Sequence, residues 1–563
     1  MNDNQNKLSK FWNELKRRKV IGVIIIYATT AFILIQLASM LEAPLRLPEW
    51  FDTFIIIFLI IGFPIAIIFS WIFDVSSKGI TKTEPKHEKA TAPATEKPVP
   101  EKSIIVLPFE NISSDPEQDY FSDGLTEEII TDLSYIQDLL VISRNSAMNF
   151  KGNKQTIKEI AGKVNVRYVL EGSVRKSGND LRIVAQLIDS LNDSHIWAEK
   201  YTGTLDDIFD IQEKVSRSVA DSLKIRLSSN EIKKFDNRNS WNSVAYEQYL
   251  FARNKIWQAT KESIQEAIES LENNIKVIGK NENLLVALGL AYLQYVNAGL
   301  DTDLNNLKKA KDFINEAIKI NASSYKAFYV KGMIHETKGN IKEAFAAITR
   351  SLELNNNDSE ALMSYAYLFC LAGYPQKGKE SANKAVENDP LNPLIYMGKY
   401  WIFLCESRFQ ELEELSLKLT RLNDSRIYLW NYGYSIALNG NYSKAIVILE
   451  QLQYNNIDDP FTLLAGTFKC AITGEAEKLR GYILGLKAAA ENDHLFAWYL
   501  AQACSYANEK EMALDFLERA TRDVFFNYPL FNEIDPFLKN IRGEKRFKKL
   551  MEGVKKKWEN FKV

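Results

Sequence analysis

Small residues recur in this chain at a fixed interval. Gly332, Gly339 and Ala344 are followed 34 positions later by Ala366, Gly373 and Gly378, and Ser351 is matched by Ala385. Gly433, Gly440 and Ala445 repeat the same internal spacing, and Ala501, Ala513 and Ala520 repeat part of it. The segments KGNIKEAFAAI and NGNYSKAIVIL read as one helix–turn–helix. A pair of helices this short has no core of its own and must bury its apolar faces against the next pair. The spacing therefore predicts an all-α superhelical solenoid over 240–525, with about seven or eight units, several degenerate. Pro390 closes one unit before the next begins.

A different pattern precedes the repeats. SIIVLPFE (103–110) is a short apolar run ending near a proline, as a buried strand does. The helical stretch LTEEIITDLSYI follows Ser122-Asp123-Gly124, and LLVIS (139–143) is the next strand. TIKEIAGKVN (156–165) is an amphipathic helix. RYVLEGSVRK (167–176) and DLRIVAQLID (180–189) alternate in polarity and meet at Ser177-Gly178-Asn179-Asp180, a hairpin signal. HIWAEKYT (195–202) adds a strand, and Ile208, Ile211, Val215, Val219 and Leu223 mark the apolar face of a closing helix. The order βαβαβββα predicts a small α/β (α+β) domain over 103–228.

These residues carry two resemblances. The 8–15–20 placement of small residues is that of a tetratricopeptide (TPR) unit, which implies a right-handed superhelix whose groove binds peptides or protein surfaces. SIIVLPFENISSDPEQDYFSDGLTEEIITDLS, VISRNSAMNFKG, VRYVLEGSVRKSGNDLRIVAQLID and HIWAEKYTGTLDDIFDIQEKV resemble the bacterial TolB amino-terminal-like (FlgO-like) domain, often placed directly before such repeats. Other branches of that family set a cyclase domain or a winged-helix DNA-binding domain ahead of the module. Here that position holds only apolar runs and a linker, so the resemblance brings no catalytic residue.

Two uncharged runs, 20–41 and 53–73, are each long enough for a helix to cross about 30 Å of hydrocarbon. The resemblance extends to them, and together they predict a two-helix transmembrane hairpin over 20–73. Residues 1–19 carry a net charge of +4 and form a basic cytoplasmic N-terminus. Lys78, Lys82, Lys86 and Lys89 follow the second run, so both ends read as cytoplasmic. A cleaved secretory signal fits poorly, because the first run is too long and lacks a small-x-small site. Residues 76–102 hold four prolines, six lysines and four glutamates, so 74–102 reads as a flexible linker. The expected location is the bacterial inner (plasma) membrane, multi-pass, with the soluble domains in the cytoplasm and a periplasm-facing arrangement as the alternative. The lipid bilayer is the expected partner of the hairpin.

Charge and composition narrow the function. The last 25 residues carry +7, which leaves −13 for 20–538 out of a total of −2. A body this acidic lacks the extended basic surface that replaces counterions on nucleic acid. Four cysteines (Cys370, Cys405, Cys470, Cys504) stand far apart without a CxxC pair, which suits a reducing compartment. Only four histidines occur in 563 residues.

Apparent motifs dissolve on inspection. Gly373, Gly378 and Lys379 have phosphate-loop spacing, but Glu380 stands where Mg²⁺ needs Ser or Thr. His335-Glu336 opens a zinc-protease motif that never completes, and no GxSxG is present. No catalytic, cofactor-binding or metal residue is assigned. Arg144, Asp123, Glu171 and Arg175 lie near strand ends, where an α/β sheet presents a crevice, although charges there are more often solvated or paired. Tyr292, Tyr295, Trp401, Trp430 and Trp498 read as core aromatics. In 526–563, Phe547, Leu550, Met551, Val554, Trp558 and Phe561 follow helical spacing with lysines opposite. They predict a basic capping helix in preference to one lying on anionic lipid. The expectation is a non-enzymatic scaffold that binds other proteins, without nucleic acid and without cofactor. A periplasmic envelope-associated binding protein and a component of a cyclase-like signalling pathway are the alternatives.

Overall fold

The computed structural model describes residues 98–113, 118–153, 155–228, 243–258, 260–297, 304–454 and 459–562, with shorter stretches before residue 83. Residues 1–98 and 99–563 are two units.

The first unit corrects the expected fold class. Among the described residues, no helix is long and apolar enough to cross a membrane. Of the two apolar runs, the described residues are Tyr27, Thr29–Ala31, Leu34, Gln36, Ile56–Leu59, Gly62–Pro64 and Phe73; the rest of both runs lies outside the described residues. The Tyr27 hydroxyl donates to the Leu59 carbonyl at 2.9 Å. Phe73 does not end a helix. It opens β1 (Phe73–Ser76), which pairs antiparallel with β2 (Gly79–Lys82). The stretch expected as linker therefore begins with a strand pair.

The second unit starts with a six-stranded sheet. Its strands are β3 (Ser103–Val106), β4 (Glu110–Asn111), β5 (Leu140–Val141), β6 (Tyr168–Ser177), β7 (Asp180–Asp189) and β8 (Ser194–Thr204). The order is β5-β3-β6-β7-β8, with β4 beside β6. β3 runs parallel to β5 and β6, because helices α1 (Asp119–Ser134), α2 (Arg144–Met148) and α3 (Ile157–Val164) supply the crossovers. β6, β7 and β8 form an antiparallel meander. Gly178 takes φ +59° as the first of two turn residues between Ser177 and Asp180, the conformation a II′ hairpin requires. Ile104, Ile105 and Val106 are buried completely, as expected for a strand covered on both faces. The α4 helix (Ile208–Ser222) buries Ile208, Ile211, Val215 and Val219 on one stripe. At the start of α3, Thr156 and Glu159 form a reciprocal capping box.

Among the described residues, eight helix pairs follow. The first four are α5 (Ser243–Gln258) with α6 (Lys261–Ile278), α7 (Glu282–Asn297) with α8 (Leu304–Ile320), α9 (Tyr325–Thr337) with α10 (Ile341–Leu354), and α11 (Ser359–Leu371) with α12 (Pro375–Asn388). Next come α13 (Met397–Cys405) with α14 (Phe409–Leu422) and α15 (Arg426–Leu438) with α16 (Tyr442–Gln453). The last two are α17 (Pro460–Thr473) with α18 (Ala476–Asn492) and α19 (His494–Tyr506) with α20 (Lys510–Ala520).

One backbone device closes most of these pairs. Gly339, Gly373, Ser407, Gly440, Gly474 and Asn508 all have φ between +58° and +83°, and each sits in the turn between paired helices. The next residue's amide then returns to the last helical turn: Asn340 to the His335 carbonyl at 2.8 Å, Tyr374 to Phe369 at 2.8 Å, Arg408 to Phe403 at 2.9 Å, Glu509 to Cys504 at 2.8 Å. This is the six-to-one closure of a Schellman motif, which satisfies otherwise orphaned helix carbonyls. Glycines also set the helix crossings. A Cβ on Gly332 would meet Ile348 Cδ1 at 2.5 Å, and one on Gly378 would meet the Ala366 Cα at 2.8 Å.

The chain occupies much of its own inner surface. In the later repeats, Trp401 of α13 and Trp498 of α19 lie 5.8 Å apart between ring centroids, and Phe525 packs on both. Asp535 accepts from Trp498 Nε1 at 2.9 Å and from Gln502 Nε2 at 2.7 Å. Asn527 donates to the Cys370 carbonyl at 2.7 Å. Trp401, Trp430 and Trp498 are core residues, as their spacing suggested, and so are Tyr292 and Tyr295. Helix α21 (Lys545–Glu559) buries Phe547, Met551 and Val554 against this body. Its Arg546 pairs with Glu511, Asp515 and Glu518 of α20. The apolar stripe of the basic tail thus faces protein, and its end lies against the middle repeats, with Trp558 on Tyr374 and Phe561 on Phe345 of α10.

Candidate functional site

The α/β domain rests against the early repeats, and the contact begins at α5. A Cβ on Gly124 of α1 would meet the Leu250 side chain at 2.6 Å, so any larger residue there has to displace Leu250. Tyr120 donates to Glu247 Oε1 at 2.5 Å, Lys176 pairs with the same carboxylate, and Gln212 Nε2 donates to the Tyr246 hydroxyl at 2.6 Å.

Further along, loops between units meet the edge of the sheet. Asn355 and Asp389 follow α10 and α12 in the same register, 34 residues apart. Asn355 Nδ2 donates to the Ser134 hydroxyl at 3.1 Å, and Asn357 Nδ2 to the Leu139 carbonyl at 3.4 Å. Asp389 Oδ1 accepts from the Ser146 amide at 3.1 Å and from its hydroxyl at 2.5 Å. The Ser143 amide donates to the Asn388 carbonyl at 2.9 Å.

Between these contacts lies a cleft of about 160 Å³. One wall is a stripe on α1: Glu127, Ile130, Thr131 and Ser134, at helical spacing. Arg144 opens α2, and Arg253 comes from α5. The repeats supply Tyr325, Lys326 and Tyr329 from α9, with Asp358, Glu360 and Asp389 beyond. The charges interlock on the α/β side. Arg253 and Arg144 both pair with Glu127, the latter at 3.2 Å. Burial opposes ionisation of Glu127, but Arg253, Arg144 and Lys326 outweigh it and hold this carboxyl below its usual range. The opposite wall behaves differently. Burial, reinforced by Asp358 and Asp389, pushes Glu360 up to about 7. Asp358 is raised chiefly by burial, although its side chain caps α11 by accepting from the Ala361 amide at 2.8 Å.

The four charged strand-end residues separate. Arg144 lines this cleft. Glu171 lines a second crevice, of about 710 Å³, beyond the carboxyl end of β3, with Asp119 and Lys151. Asp123 holds Lys151 through contacts of 2.8 and 2.9 Å. Arg175 is exposed and faces Arg182 across the β6–β7 pair. The remaining junction residues were not anticipated. The signal was the polar series Asn321, Asn355, Asp389 and Asn423 at 34-residue intervals, which marks the loops between units. The apparent motifs are structural. The Gly373 carbonyl accepts from Trp558 Nε1 at 3.3 Å, and Lys379 pairs with Glu406 at 2.7 Å. Glu336 is pushed up to about 7 by burial, with Asp493 adding to it. Among the described residues, no group of three or more His, Cys, Asp or Glu is placed to hold a metal.

Fold and site together define an α/β domain docked on a helical-repeat solenoid. Residues 100–218 match the family described as HilA/YgeH-like transcriptional regulator, second domain. A protein of Rhizobium meliloti named putative adenylate cyclase 3 is 38% identical over 228 residues, which is 40% of this chain and 39% of that protein. The chain thus spans about two fifths of the length of that relative. Among solved structures, PilF of Pseudomonas aeruginosa is similar at 18% identity, with 37% of this chain and 91% of that one covered and a TM-score of 0.30. A tetratricopeptide repeat protein of Parabacteroides merdae covers 49% of this chain and 99% of its own at 14% identity and a TM-score of 0.31. TolB of Acinetobacter baumannii covers 22% and 28% at 21% identity and a TM-score of 0.17. The chain's own helix pairs and their positive-φ turns define its repeat architecture.

Proposed function

We propose that this chain is a non-catalytic interaction protein whose partner is held by the composite of α/β domain and solenoid, not by an open peptide groove. One observation carries the reading. The inter-unit loops at Asn355, Asn357 and Asp389 grip the α/β domain, while 521–561 packs over the later repeats. Binding surface is then offered by both parts at once. The α/β domain is read as TolB-like; the family it matches is described as a transcriptional regulator's second domain, and the curated relative is named for cyclase activity. Four free, buried cysteines suit work in a reducing compartment, and we place the protein on the cytoplasmic side.

The test uses the full chain as bait, beside an Asp389→Arg variant checked for retained helicity. A bound protein that is lost with the variant supports the composite surface. Equal or stronger capture by the variant shows that the inner groove is the binding element and overturns it. Turnover of ATP or GTP above a blank overturns the non-catalytic reading.

A further inference from the structure

We propose that the junction cleft binds a small zwitterion of amino-acid size, its carboxylate toward Lys326 and Arg253 and its ammonium toward Asp358 and Glu360. The size of the cleft and the charges that line it converge on such a ligand. The volume of about 160 Å³ is close to that of an engineered cavity that takes up benzene. Charged side chains stand among its apolar lining residues, so a polar occupant can be matched there. Lys326 lines the cleft half-buried, and among the described residues no carboxylate lies within ion-pair distance of it; its ammonium reaches the Thr131 hydroxyl at 3.5 Å and lies 5.9 Å from the centre of the Tyr325 ring. Arg253 spends its two terminal nitrogens on Glu127 and the Tyr249 hydroxyl, while its buried Nε has no acceptor.

The acids across the cleft have the complementary need. Among the described residues, neither Asp358 nor Glu360 has a cation at ion-pair distance, and each is raised by burial and by its acidic neighbours. A buried carboxylate is stabilised by an ammonium placed against it. Opposite charges that line one cleft without closing on each other leave a gap that a molecule with both charges fills. Such a ligand would touch α1 and α5 on one side and α9, the 355–358 loop and the start of α11 on the other. It would therefore tighten the junction between α/β domain and repeats. Pockets for small ligands favour such interfaces.

The experiment is a thermal-shift and calorimetric titration of the full chain with each common amino acid at about 5 mM, a concentration that stabilises any complex of micromolar affinity. N-acetyl derivatives remove the ammonium, and methyl esters remove the carboxylate. The expected result is a saturable rise in Tm with one or a few amino acids, absent with both derivatives. Glu360→Gln and Lys326→Met are each expected to weaken binding by about tenfold or more, the scale of a lost buried charge contact. The exposed Glu353→Gln is expected to leave it unchanged. Should Lys326→Met fold poorly, Lys326→Arg keeps the charge and is expected to retain binding. No shift with any amino acid, or equal binding of an N-acetyl or ester form, overturns the proposal.

Discussion

The Asp389 carboxylate caps a helix that belongs to another domain. It accepts from both the amide and the hydroxyl of Ser146, a residue 243 positions earlier, and the same hydroxyl accepts from the Leu391 amide at 2.8 Å. The α2 helix has no side-chain cap of its own from Ser143, so the solenoid provides one. Asp389→Ala leaves those donors buried without an acceptor and should cost about 1–3 kcal/mol in urea unfolding. Amide exchange at Ser146 should accelerate in the same variant. Asp389→Asn keeps an acceptor and should lose less.

The turn series makes a prediction of opposite sign. Ser407 holds φ +58° where Gly339, Gly373, Gly440 and Gly474 hold the same conformation without a Cβ. Ser407→Gly should raise stability by roughly 1 kcal/mol, measured as an increase in Tm. Asn508→Gly should gain less, because asparagine tolerates this region.

Gly378 tests the helix crossing in the fourth pair. Its added methyl would fall 2.8 Å from the Ala366 Cα and 3.0 Å from its carbonyl oxygen, both backbone atoms that cannot swing aside. Gly378→Ala should therefore destabilise by about 1–3 kcal/mol. A neutral outcome in thermal unfolding would mean the pair can separate at little cost.

Glu360 makes the junction sensitive to pH. Its folded pKa of about 7 lies above the ordinary glutamate value of 4.5, so between these values the unfolded chain binds fewer protons than the folded one. Stability from this group is therefore full below about pH 4.5 and declines as pH rises through about 7. Glu360→Gln should match the parent near pH 5 and exceed it by about 1–2 kcal/mol at pH 8. Denaturant titrations at the two pH values read this difference.

Trp558 fastens the last helix. It stacks on Tyr374 and Tyr528, and the Tyr374 hydroxyl donates to its carbonyl at 2.6 Å. Trp558→Ala should cost about 1–3 kcal/mol and release the end of α21, seen as faster amide exchange over 552–560.

Where a local pattern fixes an element, the sequence was readable. The stripe of Ile208, Ile211, Val215 and Val219 marked α4, and Gly178 marked the hairpin, because each signal lies within its own element. Gly339, Gly373 and Gly440 revealed the period, while Ser407 and Asn508 hid the same turn behind residues that do not advertise a left-handed backbone. The cleft was harder. Arg144 was noticed at a strand end, but its meaning depends on Glu127, Arg253 and Glu360, which the fold gathers from three elements far apart in sequence. The buried stripe of the tail was legible from Phe547, Met551 and Val554; the acidic residues of α20 that receive Arg546, and the middle repeats on which Trp558 lies, were not. The apolar runs before residue 74 led to an expected hairpin that no described helix supports.

Residues 521–561 lie over the later repeats as a tethered rival for any molecule arriving from solution. Attachment of this kind presents the rival at an effective concentration on the order of millimolar. Occupancy of that surface by a foreign peptide is thus an exchange reaction. Its midpoint would be set by how firmly contacts such as Asn527 with Cys370 and Asp535 with Trp498 hold.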